Sequence, residues 1–377
     1  MSLHPGPQAI YGKSKIVTYF CSMNEFLIVG GGLAGAILAA EAKARGLKFQ
    51  WIISEKIPAA SFAAYGICNP VQFRNKVPAW KADEFYQLSK TFFLNYEQQL
   101  GIELLKEMPI HHLVVDEDEL VLWRQNVEST TLWNYTNGEP HNEILPHIRE
   151  GYCGTILIRQ AFYVSIPAFV LSVREFLKEH IAWTDFDQTH LKETGQGWQY
   201  KNEIYQQIIF AEGVHGYSNP FFNQIPFNPC KDEMLVVKIP GFLIKEAIHK
   251  KIVLIPLGND HFICGATYSW DDLSFNSSVE GKKELEHAIE EILGDKYTYE
   301  ILEQKAGVRP TISDRRPVVG WHPKYSGIGI LNGFGSMGLM VGPAAAKNLL
   351  DNLQSSKAIL PDWDINRFKK RLIKKVG

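Results

Sequence analysis

A chain of 377 residues, 45% apolar and 21% charged, is long enough for two domains and should bury a substantial core. Its 39 basic and 41 acidic residues leave a formal charge of −2, so no global field draws it to nucleic acid or membrane; any such contact would be local. The five cysteines, Cys21, Cys68, Cys153, Cys230 and Cys264, form no CxxC pair and no zinc spacing, which predicts a reducing compartment, free thiols and no metal.

Residues 1–22 contain an apolar run at 16–21 that is too brief for a signal-peptide core, and they read as a disordered extension with Met23 as an alternative start. No stretch reaches the ~18 apolar residues of a membrane span, so a cytoplasmic protein is expected. The run Phe26-Leu27-Ile28-Val29, the turn Gly30-Gly31-Gly32-Leu33-Ala34-Gly35 and the run Ala36-Ile37-Leu38-Ala39-Ala40 predict strand, tight turn and helix. This is the context of the dinucleotide fingerprint: Gly30 permits the turn, Gly32 lets backbone approach a pyrophosphate, and Gly35 lets the helix pack closely on the sheet. Phe49-Gln50-Trp51-Ile52-Ile53 reads as the second strand. The acidic residue that usually holds the ribose is replaced by Ile53, and Glu55 is the first carboxylate in reach.

The small-residue segment 61–70 lets backbone pass close to a ligand. Residues 83–100 carry Phe85, Leu88, Phe92, Tyr96 and Leu100 at helical spacing, a core stripe. His111-His112 before Asp116-Glu117-Asp118-Glu119 is read as a solvated turn and not as a metal site, because neighbours on a strand face opposite ways. A helix is predicted over 167–179 and a buried parallel strand at 208–210, ending at Gly213. Short apolar strands over 234–239, 252–257 and 261–266 predict a mostly antiparallel sheet, and 280–293 an amphipathic helix. The fold class expected is α/β, or α+β over the whole chain. A discontinuous Rossmann-like dinucleotide-binding domain is assigned to 23–72, 146–215 and 301–353, a substrate domain to 73–145 and 216–300, and a basic tail or helix to 354–377.

The segment 306–320 contains Gly307, Arg309, Pro310, Asp314, Pro317 and Gly320 in a GxRPxxxDxxPxxG pattern, followed by Leu331-Asn332-Gly333-Phe334-Gly335-Ser336-Met337-Gly338 and Gly342-Pro343. With the first glycine turn, these residues resemble the FAD-dependent amine oxidoreductases of the D-amino-acid oxidase and glycine oxidase family. The resemblance covers nearly all of the chain from Met23 to about Leu353. It implies noncovalent FAD, with Gly30, Gly32, Leu33, Ala34 and Gly35 at the pyrophosphate and Ala63, Ala64, Tyr65, Gly66 and Ile67 beside the isoalloxazine. It further implies Ala211 and Gly213 at the adenosine half, and Gly333, Gly335, Ser336, Met337, Gly338 and Leu339 at the pyrimidine edge, where a helix beginning near Pro343 adds its dipole. Arg309 would hold the substrate carboxylate, the alternative being a structural ion pair with Asp314; Tyr268 and Tyr65 are the candidate orienting tyrosines. The family's KGE-like turn appears here as Lys231-Asp232-Glu233, and Met340 stands where sarcosine-oxidase relatives carry a lysine, so the electron acceptor stays open.

The activity implied is oxidation of a primary or secondary amine next to a carboxylate, with hydride passing to flavin N5. Two alternatives remain at this level. The segments Gly66-Ile67-Cys68-Asn69-Pro70 and Gly335-Ser336-Met337-Gly338-Leu339 also resemble the FAD domain of the enzyme that removes a carboxymethyl group from a tRNA wobble uridine. There the basic tail Arg367, Lys369, Lys370, Arg371, Lys374 and Lys375 would be the electrostatic lure. A noncatalytic, electron-transferring flavoprotein subunit is the other.

Overall fold

The computed structural model describes residues 26–373, apart from 65, 137, 139–144 and 146. Tyr65, the expected extension over 1–22 and the last residues of the basic tail therefore lie outside the described residues. A six-stranded sheet runs in the order Ile181–Trp183, Phe49–Ile53, Phe26–Val29, Gln207–Phe210, Ile328–Asn332 and Val318–Trp321. Its pairings are parallel except at the last edge. Period-two geometry explains the uninterrupted apolar runs: Phe26 and Ile28 join one buried cluster while Leu27 and Val29 join another, so both faces are covered. The helices Leu33–Ala44 and Gly338–Ser355 cross close to each other on one face. A Cβ added at Gly342 would sit 2.7 Å from Ile37 Cδ1, so glycine is what permits the approach.

A second sheet has seven strands, ordered Glu300–Arg309, Cys230–Lys238, His261–Gly265, Val253–Gly258, Ala247–His249, Ile110–Val114 and Gly154–Ile158. Only the pairing of Ala247–His249 with Ile110–Val114 is parallel. One face, through Leu235, Val237, Leu254 and Phe262, buries the apolar side of helix Val279–Leu293. The opposite face carries Met234, Val253 and Ile263 into the core shared with the first glycine helix. Two strands interleave the expected domains: Gly154–Ile158 falls within 146–215, and Glu300–Arg309 enters 301–353, yet both pair in this sheet.

Two sequence expectations are corrected. His111-His112 is no solvated turn: it lies within Ile110–Val114, His112 is buried against His249 with Nδ1 to Nδ1 at 2.8 Å, and the acidic run starts helix Glu117–Ser129 with Asp116 as its cap. No group of metal-binding side chains occurs among the described residues. The second correction concerns Pro343, which lies inside helix Gly338–Ser355 rather than at its start. Proline has no N–H for the Leu339 carbonyl one turn earlier, and the buried Ser89 hydroxyl donates to that oxygen at 2.6 Å instead.

Candidate active site

The carboxyl ends of the central parallel strands open into one cavity lined from both ends of the chain. Gly30, Gly31, Gly32, Leu33 and Ala34 form one wall and Phe334, Gly335, Ser336, Gly338 and Leu339 another. Gly30 has φ +122°, and any side chain there would overlap the Ala211 carbonyl. Gly35 does not line the cavity; it lets the helix lie on the strand, where a Cβ would overlap the Gly30 carbonyl. Asn332 ties the loop after strand Gln207–Phe210 to the second glycine turn: its Nδ2 donates to Gly213 O at 2.8 Å and its Oδ1 accepts from Gly333 N at 2.7 Å. Ala63, Ala64, Gly66, Ile67, Ala211 and Gly213 also line the cavity. Gly333 and Met337 stand behind the lining, the latter as backbone cap of helix Gly338–Ser355.

The helices Leu33–Ala44 and Gly338–Ser355 start at this cavity with no cap from their own N-cap side chain and no acidic residue in the first turn. Their N-terminal N–H groups and dipoles therefore make an anion-seeking wall. On the first helix, Leu33 N donates to Ser61 Oγ at 2.8 Å. Arg174, from helix Ile166–Phe176, adds a fixed cation. Its Nη2 donates to the Gly31 carbonyl at 2.6 Å and its guanidinium lies 5.1 Å from the Phe62 ring centroid, while its buried Nε has no hydrogen-bond partner among the described residues. Glu55 is exposed and outside the lining; Ser54 occupies that rim, its hydroxyl donating to Asp185 at 2.5 Å. The expected ribose role of Glu55 thus loses its geometric basis.

Arg309, 8% exposed, ends the strand Glu300–Arg309 and reaches the cavity. Its Nε pairs with Asp232 Oδ2, not with Asp314, which is held by Arg367 at 2.8 Å. Register explains the pair: Arg309 lies opposite Cys230, so Asp232 is the diagonal neighbour on the same face. Gly307, opposite Asp232, packs under the turn Ala60–Phe62, where a Cβ would sit 3.1 Å from Ala63 Cβ. Burial pushes the Asp232 carboxyl up to about 6 against the opposing pull of Arg309. Tyr268 does not line the cavity; it is half exposed and its ring lies 4.9 Å from the Arg309 guanidinium.

The comparisons agree with this geometry. The model of the family described as FAD dependent oxidoreductase matches residues 25–351. The chain belongs to that family. It is 22% identical over 356 residues to a glycine oxidase of Pseudomonas aeruginosa, covering 89% of this chain and 96% of the relative. It is 23% identical over 301 residues to the tRNA 5-methylaminomethyl-2-thiouridine biosynthesis bifunctional protein of Campylobacter jejuni, covering 78% of this chain and 45% of that protein. Its fold superposes on a glycine oxidase of Geobacillus kaustophilus with a TM-score of 0.75 at 20% identity, over 94% of this chain and 99% of the other.

As a member of this family the protein is an FAD-dependent oxidoreductase, and its cavity fits that cofactor on independent grounds. The helix ends, free of acidic first turns, and Arg174 complement a pyrophosphate, and the narrow glycine wall admits it at backbone distance. Sequence reasoning missed Arg174 and the partner of Arg309. The available signals were an arginine in the mostly apolar stretch 166–176 and the charged run Lys231-Asp232-Glu233 opening the strand Cys230–Lys238.

Proposed function

We propose that the protein oxidises a primary or secondary amine adjacent to a carboxylate, an amino acid or N-substituted glycine, using noncovalently held FAD. The observation that carries this reading is the Arg309–Asp232 pair at the cavity wall: adjacent opposite charges complement a zwitterion, whose carboxylate and ammonium are likewise adjacent. Arginine suits the carboxylate because its planar guanidinium can offer parallel donors. The apolar wall of Ala63, Ala64, Ile67 and Phe334 excludes water and holds the α-carbon. Bound FAD supplies the hydride acceptor, while the chain supplies orientation and electrostatics. Anaerobic titration of the FAD-loaded protein with glycine, sarcosine, proline and D-amino acids tests the proposal. Loss of the flavin absorbance near ~450 nm with at least one supports it, and an unchanged spectrum with all of them contradicts it.

A second reading is favoured by the similarity to the tRNA-modifying bifunctional protein, which extends over most of this chain. A carboxymethylaminomethyl uridine in tRNA presents an N-substituted glycine, so Arg309 would keep its role. The exposed Lys369, Lys370 and Arg371 would supply phosphate contacts.

A further inference from the structure

Along Lys231-Asp232-Glu233 the side chains alternate. Lys231 reaches Asp272 and, at 2.6 Å, the Asn276 carbonyl, while Glu233 accepts from Ser278 N at 2.8 Å and Gln304 Nε2 at 2.7 Å. Both are buried on the sheet face away from the cavity and fix the loop before helix Val279–Leu293. Asp232, between them, faces the cavity. Its Oδ2 meets Arg309, whereas its Oδ1 is buried and has no hydrogen-bond partner among the described residues. A buried carboxylate oxygen without a donor calls for an explanation, and a ligand that brings one supplies it.

We propose that Asp232 receives the substrate ammonium on Oδ1 and takes one of its protons before the α C–H bond breaks. The proposal rests on the amine-oxidation reading above. An ammonium has no lone pair with which to drive hydride departure. In the step proposed, one N–H bond breaks, its electron pair stays on nitrogen, and the proton forms an O–H bond on Asp232. The neutral amine then has the lone pair that the loss of hydride requires, and Asp232 returns its proton to solvent once product leaves. The titratable groups facing Asp232 are Arg309, with Tyr268 beside it, and Cys230 on its own strand; Arg174, Glu212 and His215 line other parts of the cavity. Burial holds the carboxyl near 6, close enough to neutrality both to accept and to release a proton.

The test compares wild type, Asp232→Asn and Asp232→Glu, all FAD-loaded, for anaerobic reduction by sarcosine between pH 5 and 9. It also measures acetate binding by the perturbation of flavin absorbance. The wild-type kcat/KM should fall tenfold per pH unit below an acid limb near 6, the deprotonated carboxylate being the active form. Asp232→Asn should lose that limb, fall about 10²-fold at pH 7, and instead gain with pH as free amine accumulates. Acetate should bind at least roughly tenfold tighter to Asp232→Asn, because the negative charge competing for Arg309 is gone. Should Asp232→Asn fail to hold FAD, Asp232→Glu decides: an acid limb kept with a reduced rate supports the proposal, and a wild-type rate overturns it. An active wild type whose Asp232→Asn variant keeps both the limb and the rate overturns the role of Asp232 alone. A wild type that glycine, sarcosine, proline and D-amino acids all leave oxidised at every pH overturns the amine reading and this step with it.

Discussion

At the scale of single residues, the cavity is organised by two arginines with different partners. Arg309 is balanced by a carboxylate, while Arg174 is held by a backbone carbonyl and aromatic rings. Burial lowers the affinity of Arg174 for its proton, as expected of a cation removed from water, and an anion beside it would offset that cost. Arg174→Gln should therefore weaken FAD binding by roughly tenfold to a hundredfold, the worth of a hydrogen bond to a charged group. Fluorescence quenching on adding FAD to the apoprotein measures it; an unchanged Kd would remove Arg174 from the phosphate wall. Arg309 was legible in the sequence from its place in the motif. Its partner was not, because which acidic residue it meets is set by strand register between residues 77 positions apart and not by local pattern.

At the scale of elements, what was legible is what local periodicity encodes. The run Phe49–Ile53, the stripe on helix Ala82–Leu100 and the amphipathic helix Val279–Leu293 follow from apolar spacing alone. The start of helix Gly338–Ser355 was misjudged because proline normally marks a first turn, and here a serine from another helix compensates for the missing N–H. That compensation is testable. Ser89→Ala leaves a buried carbonyl without a donor and should cost about 1–3 kcal/mol in denaturant unfolding. It should also loosen the helix start that faces the cavity, seen as faster FAD dissociation; a variant as stable as wild type would show that Leu339 needs no outside donor.

At the scale of the whole molecule, the two ends of the chain converge on one cavity, as the paired glycine turns suggested, but the sheets interleave more than a linear division of the sequence allows. No described helix is long and apolar enough to cross a membrane. The C-terminal segment is partly structural, since Trp363, Ile365 and Leu372 are buried and Arg367 is engaged by Asp314. Truncation there would disturb the core, so the tRNA reading is better tested by Lys369→Gln, Lys370→Gln and Arg371→Gln together. If it holds, these should abolish a salt-sensitive tRNA affinity; absence of binding to wild type at low salt would contradict it.

The central claim is that the Arg309–Asp232 pair reads a zwitterion, and a matched pair of substrates tests it most directly. Sarcosine and dimethylamine share the secondary amine and differ in the carboxylate. Anaerobic reduction of the FAD-loaded protein should be at least ~10²-fold more efficient with sarcosine, the carboxylate being held against Arg309. Equal efficiency with dimethylamine would contradict the account.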